Sequence, residues 1–153
     1  MAGTLTVSLK LSPFPFAAVA IAAYTQKADL VFDEAATTVS LALNGSEVTT
    51  EHEVVQTLAK AGRISDDSAK VSTNSTRFTT LNLLKQSQSF FVLASSLSKL
   101  TAFPEIVAAL DSLDDYLAFR TFLVGHDITA TDWIIWGAMK GLYQIRSSPH
   151  IFI

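Results

Sequence analysis

The chain has 153 residues, enough for one domain with a sizeable core. Its net charge of −3 and pI near 5.5 leave no clustered basic footprint, which excludes nucleic-acid binding through phosphate neutralisation by this chain alone. With no cysteine it has no disulfide, no thiolate metal ligand and no cysteine nucleophile, as fits a cytosolic protein. Charged residues make up 16% and hydrophobic ones 49%. A soluble domain usually carries about 25% charged residues, so the shortfall points to apolar surface that meets a partner.

Residues 4–11 alternate as a strand, with Leu5, Val7, Leu9 and Leu11 on one face. Pro13 and Pro15 stand where a helix begins, and the spacing predicts that helix over 14–25, with Ala17, Ala20, Ile21 and Tyr24 on one face. The apolar run Phe14–Tyr24 resembles a signal-peptide core, but the strand before it and the two prolines argue against a leader. It is also too short to span a bilayer. Residues 28–32 read as a second strand. Val39, Leu41 and Leu43 alternate over 37–43, and Asn44-Gly45 is a turn signal that calls for a hairpin partner near 47–49. Thr50 and Glu53 form a capping box opening a helix to about Ala61, with Val54, Val55 and Leu58 inward and Gly62 as its stop. The order is β-α-β-β-β-α.

Residues 64–77 are dominated by Ser, Asp, Thr and Asn and read as a linker between a first half, 1–63, and a second, 78–153. The second half reads as helical throughout. Phe90, Leu93, Ala94, Leu97 and Leu100 mark one helix; Pro104 restarts the chain; Ile106, Leu110, Leu113 and Leu117 mark the next. A third runs over 130–145, and Pro149 interrupts the end. Strands first and helices second make an α+β fold. Asn44-Gly-Ser46 and Asn74-Ser-Thr76 match glycosylation acceptors, which have no use without a secretory route.

The stretch Arg120–Gly141, RTFLVGHDITATDWIIWGAMKG, holds a turn, a helix start and an apolar helix. Thr129 and Asp132 have capping-box spacing: the hydroxyl accepts the Asp132 amide, and the carboxylate reaches back to the Thr129 amide. Ile128 before the cap can pack on Trp133. After the cap, one stripe is Ile135, Ala138, Met139 and Leu142 and another is Trp133, Trp136 and Gly137. A helix apolar nearly all round belongs in the middle of a core.

This pattern, R-T-[FY]-L-V-G-x-x-[IL]-[ST]-x-x-D-x-x-x-W, resembles the C-terminal half of glutathione-S-transferase-like domains, in which a Ser/Thr-x-x-Asp box starts the central buried helix. The run Arg120–Gly125 with Trp136-Gly137-Ala138 and Lys140-Gly141 looks most like the domain at the N-terminus of eukaryotic, by preference fungal, cytosolic glutamyl-tRNA synthetases, and LTVSLKLSPFPFAAVAIAAY at residues 5–24 matches the start of that domain. The resemblance implies a reduced thioredoxin-like half followed by an all-helical half. Family members continue with one or two more helices, so the apolar end at 150–153 is expected to reflect truncation or docking.

Chemistry is sparse. The likeness would make Ser12 the thiol activator of a transferase, but Pro13 and Pro15 suit a helix start equally. The family's cis-proline before its third strand has no counterpart, because no proline lies between Pro15 and Pro104. Its Glu/Gln-Ser pair for the γ-glutamyl end is matched by Glu51 and His52, so the Ser is lost. His52, His126 and His150 have no ligand spacing, so no metal is expected. Asp111, Asp114 and Asp115 read as a solvated helix face. There is no nucleophile elbow, no phosphate loop and no ATP signature of a class I synthetase. No catalytic residue or cofactor is expected in this chain; ATP would belong to a parent enzyme.

What the resemblance implies is a non-catalytic cytoplasmic interaction module, which docks a glutamyl-tRNA synthetase onto the transferase-like domain of a tRNA-binding cofactor protein or of another synthetase. A homodimer in isolation is also compatible with the resemblance. No nucleic acid and no membrane is engaged directly. Of two surfaces used in the family, the one before the capped helix makes Arg120, Thr121, His126 and Asp127 the partner-binding rim, with Arg146 a weaker candidate. Arg120 reads equally well as a buried brace for the turn. A glutathione-dependent transferase, or the corresponding domain of an elongation factor subunit, is the alternative.

Overall fold

The computed structural model describes residues 3–64, 77–97, 99–100 and 102–147. Strand β1 (Gly3–Val7) leads into helix α1 (Phe16–Thr25), then β2 (Ala28–Phe32), β3 (Ser40–Leu43), β4 (Ser46–Val48) and α2 (Glu51–Ala61). Three helices follow: α3 (Arg77–Leu97), α4 (Phe103–Leu117) and α5 (Ala130–Ser147). The sheet order is β2-β1-β3-β4, with β1 and β2 parallel and the other two pairs antiparallel.

Alternation assigns the faces. Leu5 and Val7 on β1 and Leu41 and Leu43 on β3 are buried with α1 and α2, and Leu5 lies opposite Leu41. Thr4, paired with Ala42 and Asp29, is exposed with them on the other face. The half is therefore two layers, solvated on one side, as the period-2 pattern requires. Asn44 (φ 52) and Gly45 (φ 81) are both left-handed, the conformation of a tight hairpin turn that matches strand twist. The first core gathers Leu5, Val7, Ile21, Leu41, Val54, Val55 and Leu58; the second gathers Phe90, Leu97, Ile106, Leu113, Leu123, Ile135 and Leu142.

Helix α5 joins the two. It packs on α1, α2 and α3, and Ile134 touches both cores. A Cβ placed on Gly137 would stand 2.6 Å from Ala17 Cβ and 2.7 Å from its backbone nitrogen, so α1 and α5 meet at a distance that only glycine permits.

Several expectations are corrected. The first strand stops at Val7 rather than continuing to residue 11, and Leu9 is 71% exposed. The reason is a turn at buried Ser8, whose hydroxyl accepts the Lys10 amide and whose carbonyl accepts the Leu11 amide. Helix α1 begins at Phe16, and its buried set is Ala17, Ala18, Ile21 and Ala22, with Tyr24 61% exposed. A segment apolar at nearly every position has no period to choose its face; the neighbours choose it. Gly62 follows α2 in right-handed conformation, and the left-handed residue is Arg63 (φ 56). Glycine is needed at 62 because a Cβ there would lie 2.4 Å from Thr25 Cγ2. Helix α5 is not enclosed all round: Trp136 (41%) and Met139 face solvent. Of the linker reading of 64–77, Ile64 is buried with the first core and Arg77 opens α3, while 65–76, like Pro149 and His150, lie outside the described residues.

Candidate interaction surface

The segment between α4 and α5 is held from both sides at one residue. Tyr116 projects from the end of α4, rests edge-on against Phe90 of the second core (5.0 Å) and donates its hydroxyl hydrogen to the Leu123 carbonyl (2.8 Å). The Leu123 amide donates to Asp132 Oδ1 (2.9 Å). Leu123 and Val124 are buried as a result, and both polar groups of Leu123 are satisfied.

Asp132 does more than cap its own helix. Its Oδ2 accepts the Thr129 amide (2.8 Å) and the Thr129 hydroxyl (2.8 Å) while Oδ1 holds the loop. The carboxylate half of the expected capping box is met, and the Thr129 hydroxyl donates to the same oxygen. At the second box the Thr50 hydroxyl accepts the Glu53 amide at 3.4 Å, as expected, and also donates to Glu53 Oε2 (2.8 Å). An anion at a helix N-terminus is favoured by the helix dipole as well.

With the backbone stapled inward, the remaining side chains face outward. Phe119, Arg120, Thr121, His126 and Asp127 are all exposed. Arg120, Thr121 and His126 join Gln86, Tyr116 and Phe119 around a concavity of about 370 Å³. Arg120 braces the turn, but from outside: its Nη1 donates to the Tyr116 carbonyl (2.9 Å), and its guanidinium lies 4.2 Å over the Tyr116 ring. The buried-brace alternative is therefore corrected, since the arginine is both brace and accessible surface. Arg146 sits sixteen residues into α5, about 24 Å along the axis from its start, and its side chain lies outside the described residues.

A second concavity, about 270 Å³, opens between the two halves and is lined by Phe14, Thr50, Glu51, His52, Phe91, Ile134 and Leu142, among others. Its two titratable groups are spoken for. Glu51 Oε1 accepts the Ala17 amide (3.0 Å) at the start of α1. Burial raises its carboxyl above the usual value, and the bonds from Ala17 and Ala18 partly offset this. His52 meets Phe91 edge-on at 4.1 Å, and burial lowers its pKa. Ser12 is exposed and stands at the edge of this cleft, next to Pro13 of the lining but outside it. Asp111, Asp114 and Asp115 are exposed on α4. Among the described residues no group of three or more His, Asp or Glu could hold a metal ion, and no helix is long and apolar enough to cross a membrane.

Sequence reasoning missed Tyr116 as the brace, Glu51 as the cap of α1, and Phe119. A signal for Phe119 exists: the apolar stripe 106, 110, 113, 117 continues to 120 or 121, so a phenylalanine at 119 falls off the buried face.

No family model matches the chain. The bifunctional glutamate/proline–tRNA ligase of Cricetulus griseus is 34% identical over 73 residues, 48% of this chain and 5% of that protein. The probable cytoplasmic glutamate–tRNA ligase of Schizosaccharomyces pombe is 40% identical over 53 residues, 35% of this chain and 7% of that protein. The chain thus spans only a small fraction of the length of the ligases it matches. Among solved structures, a diazinon-metabolizing glutathione S-transferase of the silkworm Bombyx mori superposes with a TM-score of 0.61 over 95% of this chain and 82% of that one, at 14% identity. The apo form of Phanerochaete chrysosporium URE2P6 superposes with a TM-score of 0.56 at 15% identity, covering 95% and 84%. The fold is that of the glutathione S-transferases, with sequence similarity to glutamate–tRNA ligases.

Proposed function

We propose that this chain is a non-catalytic, glutathione-S-transferase-like module of a cytoplasmic glutamate–tRNA ligase. Its role is to dock that enzyme onto the transferase-like domain of a tRNA-binding cofactor or of another synthetase. Aminoacylation and its ATP belong to the rest of the ligase. Docking raises the effective concentration of the partner's RNA-binding part at the catalytic body, so tRNA affinity rises without a new contact to this chain. One observation carries the choice of surface: the turn stapled by Tyr116 and Asp132 presents Arg120, Thr121, His126 and Asp127 outward on a rigid frame. A preorganised polar rim around a concavity suits protein recognition.

The catalytic alternative has less support. A transferase would need Ser12 directed into the cleft, whose lining includes its neighbour Pro13 but not Ser12, and a free carboxylate for a peptide amine, whereas Glu51 is bonded to the start of α1. The ligase relatives favour a synthetase module over an elongation factor subunit.

The test uses the chain as bait in cell extract, beside a glutathione-resin control. The expected result is co-recovery of a synthetase or its cofactor and no retention on the resin. Arg120→Ala and Asp127→Ala should each weaken partner binding with helical content intact. Retention on glutathione with no translation protein recovered would overturn the reading; unchanged binding by both variants would move the interface elsewhere.

A further inference from the structure

Resting on the docking reading above, we propose that Phe119 is the anchor of this surface. Its partner is a different protein that offers an apolar socket with a carboxylate at the lip, gripping Arg120.

Phe119 is 98% exposed, the most exposed of the large hydrophobic side chains described. An exposed ring on a loose segment would say little, but this one is mounted on a braced turn. On one side the Arg120 amide bonds the Leu117 carbonyl (2.9 Å), and the Arg120 side chain bonds Tyr116 and lies on its ring. Tyr116 in turn is fixed to Leu123 and to Phe90. The backbone around residue 119 therefore has little freedom left to lose on binding, and a preorganised aromatic is the residue type that anchors interfaces.

The neighbour specifies the socket's rim. Arg120 is exposed and held flat against Tyr116, with one of its five donors on the Tyr116 carbonyl. A stacked, oriented guanidinium is a fork for a carboxylate. A second copy of this chain fits poorly. In a two-fold pairing through this turn, each Phe119 would meet a concavity bordered by the polar side chains of Gln86, Arg120, Thr121 and His126, where an apolar socket is needed. The chain is also acidic as a whole, with a net charge of −3.

The experiment places photoreactive benzoylphenylalanine at 119 and, as a control, at Val92, which is exposed on α3. The full chain is irradiated in cell extract, and the cross-linked peptides are sequenced. Affinity for the protein so identified is then measured for wild type, Phe119→Ala, Arg120→Lys and Arg120→Glu. Position 119 should cross-link, and 92 should not, to an apolar peptide containing Asp or Glu. Phe119→Ala should lose about 30-fold in affinity, the scale of an anchor residue, with unchanged circular dichroism. Arg120→Lys should lose roughly 10-fold although the charge remains. Arg120→Glu should be rescued by reversing the partner's carboxylate to Arg. Cross-linking of 119 to a second copy of this chain, or affinity unaffected by Phe119→Ala, overturns the proposal. A partner recovered only through position 92 overturns the anchor and leaves docking standing. No partner and no cross-link overturns both.

Discussion

Removing the Asp132 carboxylate should be the most damaging single surface-turn substitution in this molecule. The carboxylate accepts three hydrogen bonds, from the Leu123 amide, the Thr129 amide and the Thr129 hydroxyl, all at 2.8–2.9 Å. Leu123 and Thr129 are buried, while Asp132 itself is half-buried, so water can replace some but not all of the lost partners. At about 1.5 kcal/mol for each of the three stranded donors, about 4.5 kcal/mol before a discount for that access, Asp132→Ala should cost roughly 3–4 kcal/mol. Asp132→Asn keeps one acceptor oxygen. It can serve Thr129 or Leu123 but not both, and its NH₂ group must then face a donor, so about 2 kcal/mol is expected. In a urea titration followed by circular dichroism, with a slope of about 2 kcal/mol/M, the midpoint should fall by roughly 1.5–2 M for the alanine variant and about 1 M for the asparagine. Amide exchange at Leu123 should accelerate in both, and docking should weaken because the turn carrying Phe119 and Arg120 loses its staple. An alanine variant within about 0.5 kcal/mol of wild type, or an asparagine variant equal to it, would show that water substitutes freely for the carboxylate and would refute the reasoning.

Two glycines of α5 about 6 Å apart along its axis but unlike in surroundings should respond oppositely. Gly137→Ala drives a Cβ into the backbone and side chain of Ala17 and should destabilise by about 1–3 kcal/mol. Gly141→Ala meets nothing within 4 Å inside the same helix and should stabilise by about 0.5–1 kcal/mol, both read as shifts in thermal midpoint. Glu51 and His52 should leave opposite marks on stability against pH. The raised Glu51 value means that the folded state holds the proton longer, so stability falls as pH climbs from 4.5 through the folded value. The lowered His52 value means that the folded state resists protonation, so its share of stability is lost as pH drops below 6.5. Glu51→Gln should abolish the first slope and His52→Gln the second; slopes that survive both substitutions would locate the titrating groups elsewhere.

The division of labour in the molecule is consistent with these expectations. The cleft between the halves is walled mainly by apolar side chains, and its one carboxylate, the half-buried Glu51, accepts the Ala17 amide at the start of α1. The turn before α5 instead buries Leu123 and Val124 and exposes Phe119, Arg120, Thr121, His126 and Asp127, an arrangement that spends its internal bonds on rigidity and leaves its surface for recognition.

Local chemistry was legible in the residues themselves. Strand alternation, the Asn44-Gly45 turn, the Thr50 and Thr129 caps, Pro104 at a helix start and the apolar stripes of α3 and α4 depend on neighbours within a few positions, so short-range spacing determines them. The RTFLVG turn with its Asp three residues after Thr129 was visible for the same reason, and with it Arg120 and Asp132. What needed the tertiary structure was every choice among equivalent options. An α1 apolar on all sides could not say whether Ala18 or Tyr24 would be buried; the sheet and α5 decided that. Gly137 read as one position of an apolar stripe and Gly62 as a helix stop, and neither reading held the contact with Ala17 or Thr25 that requires glycine there. Asp132 advertised a cap but not its bond to Leu123, nine residues away, and Glu51 suggested a ligand contact until α1 claimed it across thirty-four positions. Hydrogen bonds and close packing between segments remote in sequence leave no periodic trace, because only the folded chain brings the partners within 3 Å.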